Sequence, residues 1–367
     1  MNEFLAVESL RPLKLRPALT AGHKSVDNYK PATGFMEAVD VAMLLGVPLL
    51  LTGEPGSGKT SSADWLAGRL NAGKVLRHDV KSTTSGRELL YTFDEVARFR
   101  DSSGSDKVEV PLIKYIQFTA LGEAIIRAAG GGEDLLAPDR NPLVGEAFEA
   151  NRGQLVRAFG KDALAGGRAP VSLLLPNDRE FVNAAAEHRV VLIDELDKAP
   201  RDTPNDLLAE IDDMGFAIPE LGIRIEAGSR LRPVVIITSN SEKALPEPFL
   251  RRCAYFNIPE ATDEQLQIIV EGAIDGLSDQ ELVKSAIRLF RELRRNPTVQ
   301  KKPGTSELLA WLDVMIQDPR NNADMSVEQV CRALVQGQPE EKKKWPAIGA
   351  LLKWEEDVEI AMAHLLK

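Results

Sequence analysis

Residues 53–60 have the types and spacing of a loop that binds phosphate groups. They read Gly-Glu-Pro-Gly-Ser-Gly-Lys-Thr, which matches the pattern Gly-x-x-x-x-Gly-Lys-Thr at each fixed position. Glycines let the backbone wrap closely around a polyphosphate and turn its N–H groups inward. A lysine at this place reaches the β- and γ-phosphate oxygens, and the threonine hydroxyl binds Mg²⁺. The pattern predicts a nucleotide site, and the alternative is a Gly-rich turn between a strand and a helix.

The residues on either side of this loop favour the nucleotide interpretation. An apolar run over residues 47–52 predicts a strand before the loop. After the loop, apolar residues recur at helical spacing, at Ala63, Leu66, Ala67 and Leu70. A helix with this spacing begins at Lys59 and directs the positive end of its dipole at the phosphates. The predicted nucleotide ligands are Gly53, Glu54, Pro55, Gly56, Ser57, Gly58, Lys59, Thr60 and Ser61.

Two adjacent carboxylates mark a second position where chemistry can occur. Residues 190–193 are apolar and largely β-branched, which suits a strand buried on both faces of a parallel sheet. Asp194 and Glu195 follow directly, at the strand end where open α/β sheets bind ligands. Together with a phosphate-binding loop, this placement predicts that Asp194 binds Mg²⁺ and that Glu195 acts as general base for an attacking water.

Polar side chains accompany two further apolar runs. Asn240 follows the run at 234–238, and an asparagine at the carboxyl end of a strand can hydrogen-bond both a γ-phosphate and the attacking water. Arg251 and Arg252 precede the run at 254–258. These two arginines are either a solvated pair or cations that are presented to the γ-phosphate of a neighbouring subunit.

In this order, residues 53–60, 191–200, 238–240 and 245–252 resemble the motif set of the AAA+ ATPases. The resemblance is greatest to the MoxR-like and dynein-related branch of the helix-2-insert clade, and it covers about residues 30–310. It implies an α/β fold, namely the αβα sandwich of a P-loop NTPase with a parallel sheet, followed by a small all-helical lid domain. It also implies ATP as the substrate, Mg²⁺ as the cofactor, and hydrolysis to ADP and phosphate.

The resemblance further assigns a role to each motif. It makes residues 53–60 the Walker A loop, Asp194 and Glu195 the Walker B pair, Asn240 sensor 1, and Arg252 the arginine finger with Arg251 as second choice. The sensor 2 arginine of the family is missing near Ser306, so either Lys302 substitutes for it or the helical domain makes no contact with the γ-phosphate.

The resemblance also implies partners. The family forms rings, usually hexamers, that act on proteins, and this branch often works with von Willebrand A domain proteins. An alternative is the motor subunit of a nucleic-acid-processing or defence complex, and a third is a nucleotide-dependent scaffold or switch that hydrolyses little. The formal net charge of −10 argues against non-specific nucleic-acid binding.

Length and composition set the domain organisation. The chain has 367 residues, enough for two or three domains. We expect an arm at 1–30, a nucleotide-binding domain at 31–260 with an insert within about 82–170, and a helical domain at 261–367. No run of 18 apolar residues occurs and residues 1–21 lack a signal-peptide core, which predicts a cytoplasmic protein with no membrane span. Cys253 and Cys331 are expected to be reduced thiols.

Weaker patterns give local expectations. Ser85 and Glu88 have capping-box spacing, which predicts a helix within 82–93, and helical periodicity covers 115–129. Residues 130–170 are rich in Gly, Pro and Asn and predict an inserted segment. Capping boxes are also expected at three places towards the C-terminus: Thr262 with Gln265, Ser278 with Glu281, and Ser326 with Gln329.

Several single residues have both a functional and a structural interpretation. Tyr91 and Phe93 are either pore contacts or core residues, with core packing favoured, and Tyr29 and Pro31 either cover the adenine or simply pack. His78 is expected to be structural. Four arginines in one helical stretch are interpreted as a solvated helix face rather than a phosphate site: Arg288, Arg291, Arg294 and Arg295.

Overall fold

A computed structural model describes residues 29–103, 110–164, 166–228, 231–240, 243–274, 280–317 and 348–365. These residues divide into two compact units: Lys30–Glu260, and the residues from Ala261 onward together with Tyr29. Most of the predicted arm, the capping boxes at Ser278 and Ser326, and Cys331 lie outside the described residues.

The first unit alternates strands and helices. Its elements are α1 (Phe35–Leu45), β1 (Leu49–Thr52), α2 (Lys59–Arg69), β2 (Leu76–Asp79), β3 (Tyr91–Phe93), α3 (Glu95–Ser103), β4 (Ile116–Phe118), α4 (Ala120–Ala129), α5 (Gly145–Phe159), β5 (Val190–Asp194), α6 (Thr203–Asp206), α7 (Leu208–Asp213), β6 (Gly215–Ile218), β7 (Ile223–Glu226), β8 (Val234–Thr238), α8 (Glu247–Leu250) and β9 (Ala254–Asn257). The second unit contributes α9 (Asp263–Ala273), α10 (Gln280–Arg295), α11 (Thr305–Gln317), α12 (Ile348–Leu351) and α13 (Glu355–Leu365).

Five strands form one parallel sheet in the order β2-β5-β8-β1-β9. The four apolar runs of the sequence form four strands of this sheet, namely β1, β5, β8 and β9. The strand order places the carboxyl ends of β5, β8 and β1 side by side, because parallel strands all end at the same edge. The two candidate carboxylates, Asn240 and the phosphate-binding loop are therefore brought to one edge of the sheet.

Alternate residues of these strands are buried on opposite faces of the sheet. Leu49, Leu51 and Ile236 pack with the apolar residues of α1 and α2 on one face. Leu50 and Ile237 pack with α4 and α5 on the other. This two-sided burial explains the uninterrupted apolar runs in the sequence. The predicted fold class, an α/β P-loop sandwich with a parallel sheet followed by a helical region, is confirmed.

The segment between β2 and β5 differs from its sequence prediction at two places. Ser85 and Glu88 do exchange hydrogen bonds, at 2.9 and 3.4 Å, but the element at this place is a single 3₁₀ turn, Arg87–Leu89, instead of a helix. The aromatic and β-branched residues that follow form β3, which pairs antiparallel with β4. Pairing with β3 also makes Ile116–Phe118 a strand, so the helix expected over 115–129 begins only at Ala120.

The Gly- and Pro-rich segment 130–170 contains a helix that the sequence analysis did not predict. It contains α5, a helix of 15 residues whose side chains Phe148, Leu155 and Phe159 are buried in the core. Most of the glycines and all of the prolines of this segment lie outside the helix, so the composition of the whole segment obscured a helical stretch inside it.

In its described residues the second unit contains helices joined by turns and no strand, and α9 begins with the capping box of Thr262 and Gln265. The prediction of a solvated arginine face on α10 is wrong for two of the four residues. Arg294 is buried, donates to the carbonyl of Pro303 at 2.6 Å and lies over the ring of Phe290. Arg291 pairs with Asp263 at 2.7 Å, whereas Arg288 and Arg295 are exposed. An arginine side chain can pack its methylene groups against apolar surface while its guanidinium group donates to a carbonyl or carboxylate oxygen. The spacing of the four arginines in the sequence does not show which of them do so.

Within the described residues, no helix combines the length and apolar character that crossing a lipid bilayer requires.

Candidate functional site

The loop after β1 has a backbone that favours glycine at three places. Gly53 has a φ of +141°, Gly56 a φ of +77° and Gly58 a φ of +87°. A Cβ at position 53 would lie 2.9 Å from the carbonyl oxygen of Ile258, so a side chain there would collide with backbone. Gly58 directly precedes α2, whose first residue is Lys59. The loop therefore turns tightly from the sheet into a helix N-terminus, which is a natural position for an anion.

Lys59 is held inside this loop. Its ammonium group donates to the carbonyl oxygens of Gly53 at 2.7 Å and Glu54 at 3.0 Å. Burial lowers the pKa of Lys59 from its ordinary value, and four surrounding carboxylates oppose that shift, Asp194 most strongly. A buried cation with only neutral oxygens as hydrogen-bond acceptors would gain from a phosphate oxygen.

The Ser57 hydroxyl indicates the same kind of ligand. Its Oγ is buried and, in the described residues, has no hydrogen-bond partner. Oγ lies close to the backbone of Gly53, since a Cβ at that glycine would approach it to 3.1 Å. Buried polar atoms are normally paired, so an unpaired one inside a loop of N–H groups fits a site that binds an anionic oxygen.

Asp194 ends β5 beside the phosphate-binding loop. The Thr60 hydroxyl donates to Asp194 Oδ2 at 3.2 Å. The other carboxylate oxygen, Oδ1, accepts a hydrogen bond from the hydroxyl of Thr238. A hydroxyl and a carboxylate are the protein ligands that suit Mg²⁺, which keeps several waters and takes its remaining ligands from substrate phosphates. The described residues contain no group of three metal-ligating side chains, and such a site needs none.

Glu195 follows Asp194 in a left-handed backbone conformation, with a φ of +59°. Its backbone N–H donates to Thr238 Oγ1 at 2.8 Å. Its carboxylate is contacted on both oxygens: Asn240 Nδ2 donates to Oε1 at 2.8 Å, and the Lys198 ammonium donates to Oε2. Non-glycine residues with positive φ cost energy and cluster at functional sites, so this conformation supports a role for Glu195.

The sequence prediction for the two arginines is not tested by this chain alone. Arg252 Nε lies 3.1 Å from Asp212 Oδ2, and both side chains are about half exposed. Arg251 pairs with Glu247 one helical turn away, and both are largely exposed. Among the described residues, neither guanidinium has a hydrogen bond or ion pair with the phosphate-binding loop or with the acidic pair. Both therefore lie on the surface, where a neighbouring molecule can reach them.

The remaining candidates divide into core and surface residues. Tyr91 is buried, stacks on Phe216 and donates to Glu220 at 2.9 Å, so the core interpretation is correct for it. Phe93 is half-buried and packs edge-on against Tyr115, beside a surface cavity of about 410 Å³. His78 is half-buried on the edge strand β2, and burial lowers its pKa. Lys302 is exposed, and its role stays a prediction.

Sequence reasoning missed two residues of the site. Thr238 contacts both Asp194 and the backbone of Glu195, and Lys198 contacts the Glu195 carboxylate. A threonine as the last residue of an otherwise aliphatic strand was a signal for the first. The spacing of three residues from Glu195 was a signal for the second, since it corresponds to one turn of a 3₁₀ helix.

Comparisons with known proteins give little beyond this geometry. No protein-family model matches the chain, and no curated protein matches it. Among solved structures, a chain from the E. coli MS115-1 HORMA:CdnC:Trip13 complex is similar with a TM-score of 0.40 and 14% sequence identity, over 86% of this chain and 91% of that one.

Proposed function

We propose that this protein is an AAA+ ATPase that hydrolyses ATP and uses the reaction to remodel a partner protein. The observation that supports this most directly is the meeting of three strand ends. The loop after β1, the carboxylates after β5 and the asparagine after β8 lie within hydrogen-bond distance of one another, through Thr60 with Asp194 and Asn240 with Glu195. This combination supports a site in which Lys59 is the cation, Asp194 the metal-binding carboxylate and Glu195 the general base at a γ-phosphate.

The reaction follows from these placements. Residues 53–61 bind the phosphates. Thr60 and Asp194 would hold a Mg²⁺ ion, which would neutralise part of the phosphate charge. Glu195 accepts a proton from water as the water oxygen attacks the γ-phosphorus. The bond from this phosphorus to the β–γ bridging oxygen breaks, and ADP and phosphate leave. A small-molecule kinase has the same kind of loop but no need for a carboxylate that activates water.

The finer identity, a MoxR-like protein that works as a hexameric ring, rests on the resemblance of the motifs. The exposed position of Arg252 is consistent with a finger that acts on the next subunit. If the protein is MoxR-like, the ring acts on another protein, and a von Willebrand A domain protein is the first candidate for this partner.

The turnover experiment compares the wild type with Glu195→Gln and with Glu149→Gln, an exposed glutamate of α5 that pairs with Arg152. Loss of a general base lowers turnover by about 10²- to 10⁴-fold. We expect Glu195→Gln to bind a fluorescent ATP analogue like the wild type while phosphate release falls by that factor, and Glu149→Gln to keep full turnover. Undiminished phosphate release by Glu195→Gln would overturn the assignment.

The same variant tests assembly and partner. In ATP, Glu195→Gln should sediment as a closed ring and retain a protein from a cell extract that ADP releases. A monomer with full ATP turnover would exclude the ring. Strong stimulation of wild-type hydrolysis by DNA or RNA, weakening as salt rises, would instead support the nucleic-acid motor.

A further inference from the structure

We propose that Thr238 is a positioning residue that holds the metal-binding carboxylate and the general base in one arrangement. This inference rests on the proposed ATPase function and adds a residue to its site. Thr238 lies at the carboxyl end of β8, between β5 and β1 in the sheet. It is not itself placed to touch ATP, and it acts through Asp194 and Glu195.

One hydroxyl makes both contacts. Thr238 Oγ1 donates its hydrogen to Asp194 Oδ1 and accepts the backbone N–H of Glu195 at 2.8 Å. A hydroxyl has one hydrogen to donate and lone pairs to accept, so the two bonds use its different capacities and do not compete. No aliphatic side chain can make either of them.

The bond to Asp194 orients that carboxylate. With Oδ1 bound to Thr238, Oδ2 is the oxygen that faces Thr60 at 3.2 Å. Without the threonine hydroxyl, the carboxylate could rotate about its χ2 torsion, which is soft for aspartate. Removing a group that holds a metal ligand in place in this way lowers metal affinity or activity by about 10- to 100-fold.

The bond to Glu195 supports a conformation that the backbone would not adopt by itself. Glu195 has a φ of +59°, in the left-handed region that costs a non-glycine residue energy. Its N–H needs an acceptor, and Thr238 supplies it. This backbone conformation determines where the Glu195 side chain begins, and hence whether its carboxylate reaches Asn240.

Complete burial makes the hydroxyl hard to replace. Thr238 has 0% exposed surface. Removing the hydroxyl therefore leaves a buried N–H and a carboxylate oxygen without this partner, in a place with no direct access to bulk water. Valine at this position keeps the shape and strand propensity of threonine, so Thr238→Val removes the two hydrogen bonds and little else.

The experiment measures kcat, the Mg²⁺ concentration for half-maximal turnover, and the affinity for ATP in EDTA. It compares the wild type with Thr238→Val, Thr238→Ser and Thr203→Val, all as the full chain. Thr203 is a matched control, because its hydroxyl is also buried but donates to the carbonyl of Thr84 at 2.9 Å. Thermal unfolding of each variant accompanies the kinetics, and should Thr238→Val not fold, Thr238→Ala takes its place.

We expect Thr238→Val to lower kcat or raise the Mg²⁺ requirement by about 10- to 100-fold while metal-free ATP affinity is unchanged. Thr238→Ser should have the kcat and the Mg²⁺ requirement of the wild type. Thr203→Val should be less stable than the wild type, with kcat and the Mg²⁺ requirement unchanged. Wild-type kcat and Mg²⁺ requirement in a folded variant without the hydroxyl would overturn the proposal, as would equal losses in Thr238→Ser and Thr238→Val. Absence of Mg²⁺-dependent ATP turnover in the wild type would instead contradict the proposed function itself.

Discussion

Asn240 Nδ2 donates a hydrogen bond to Glu195 Oε1 across 2.8 Å. The two residues follow β8 and β5, which are neighbours in the sheet. The backbone N–H of Asn240 also faces the buried carboxylate of Asp197, at 3.4 Å. Asn240 is therefore oriented by two contacts, and its amide is placed to orient the Glu195 carboxylate in turn.

Asn240→Ala removes this amide. Loss of one donor that acts on the reacting groups costs about 100-fold or more in kcat. We expect phosphate release to fall by about that factor while ATP affinity, measured by equilibrium binding, stays within about twofold. Asn205→Ala, which changes an exposed asparagine of α6, is the matched control. A fully active Asn240→Ala protein would remove Asn240 from the site.

Lys198 donates to the other oxygen of the Glu195 carboxylate. Each oxygen keeps a lone pair that can accept a proton from water, but the ion pair restrains the orientation of the carboxylate. Partly exposed ion pairs contribute about 0.2–1 kcal/mol, which corresponds to a factor of up to about five. We expect Lys198→Ala to raise basal turnover by about two- to fivefold, and Lys198→Arg to resemble the wild type.

The Lys198 experiment measures basal phosphate release at saturating ATP, with Lys161→Ala as an exposed-lysine control. A fall in turnover for Lys198→Ala would mean that the ammonium supports catalysis. In that case the pair is not a restraint on the base, and the expectation is wrong.

The lowered pKa of Lys59 makes stability depend on pH in a predictable direction. Burial of the ammonium is the cause, and the ordinary value is 10.5. Between the lowered folded-state pKa and 10.5, the unfolded chain binds more protons than the folded one, so stability rises with pH. Below the folded-state pKa, both states are protonated and the cost of burying the charge is fully present.

Lys59→Met removes this dependence. We expect the free energy of unfolding of the wild type, minus that of the variant, to become more positive as the pH rises towards 10.5. The measurement is made without nucleotide. Urea unfolding at a series of pH values measures it, and Lys161→Met is the control. A difference that falls with rising pH would contradict the burial argument.

Arg252 and Arg251 provide a test of action between subunits. Arginine fingers contribute about 10³- to 10⁵-fold to turnover. We expect Arg252→Ala to lose turnover by such a factor and Arg251→Ala to keep it, with ATP binding intact in both. The measurement is phosphate release at a protein concentration where rings form.

Mixing variants separates a finger from a local role. Glu195→Gln and Arg252→Ala are each expected to be inactive alone. In mixed rings, a site with an intact Glu195 meets an intact Arg252 from its neighbour, so activity should return. No recovery in rings shown to contain both variants would place Arg252 outside the neighbouring site.

The sequence by itself determined the parts of this protein that depend on local chemistry. The glycine pattern of a tight phosphate-binding turn predicted the loop. Apolar runs predicted β1, β5, β8 and β9, because strands buried on both faces of a sheet need apolar side chains at nearly every position. The polar residue at each strand end then identified Asp194, Glu195 and Asn240 as residues that would lie along one edge of the sheet.

Tertiary structure alone decided which residues contact one another across distant parts of the chain. Ile116–Phe118 became a strand because β3 offered it a partner, and Arg294 became a buried residue because Phe290 and the Pro303 carbonyl lie beside it. Thr238 joined the site because β8 packs against β5, which brings its hydroxyl within reach of two residues that precede it by more than forty positions. Such contacts depend on strand order and register, and local residue patterns carry no information about either.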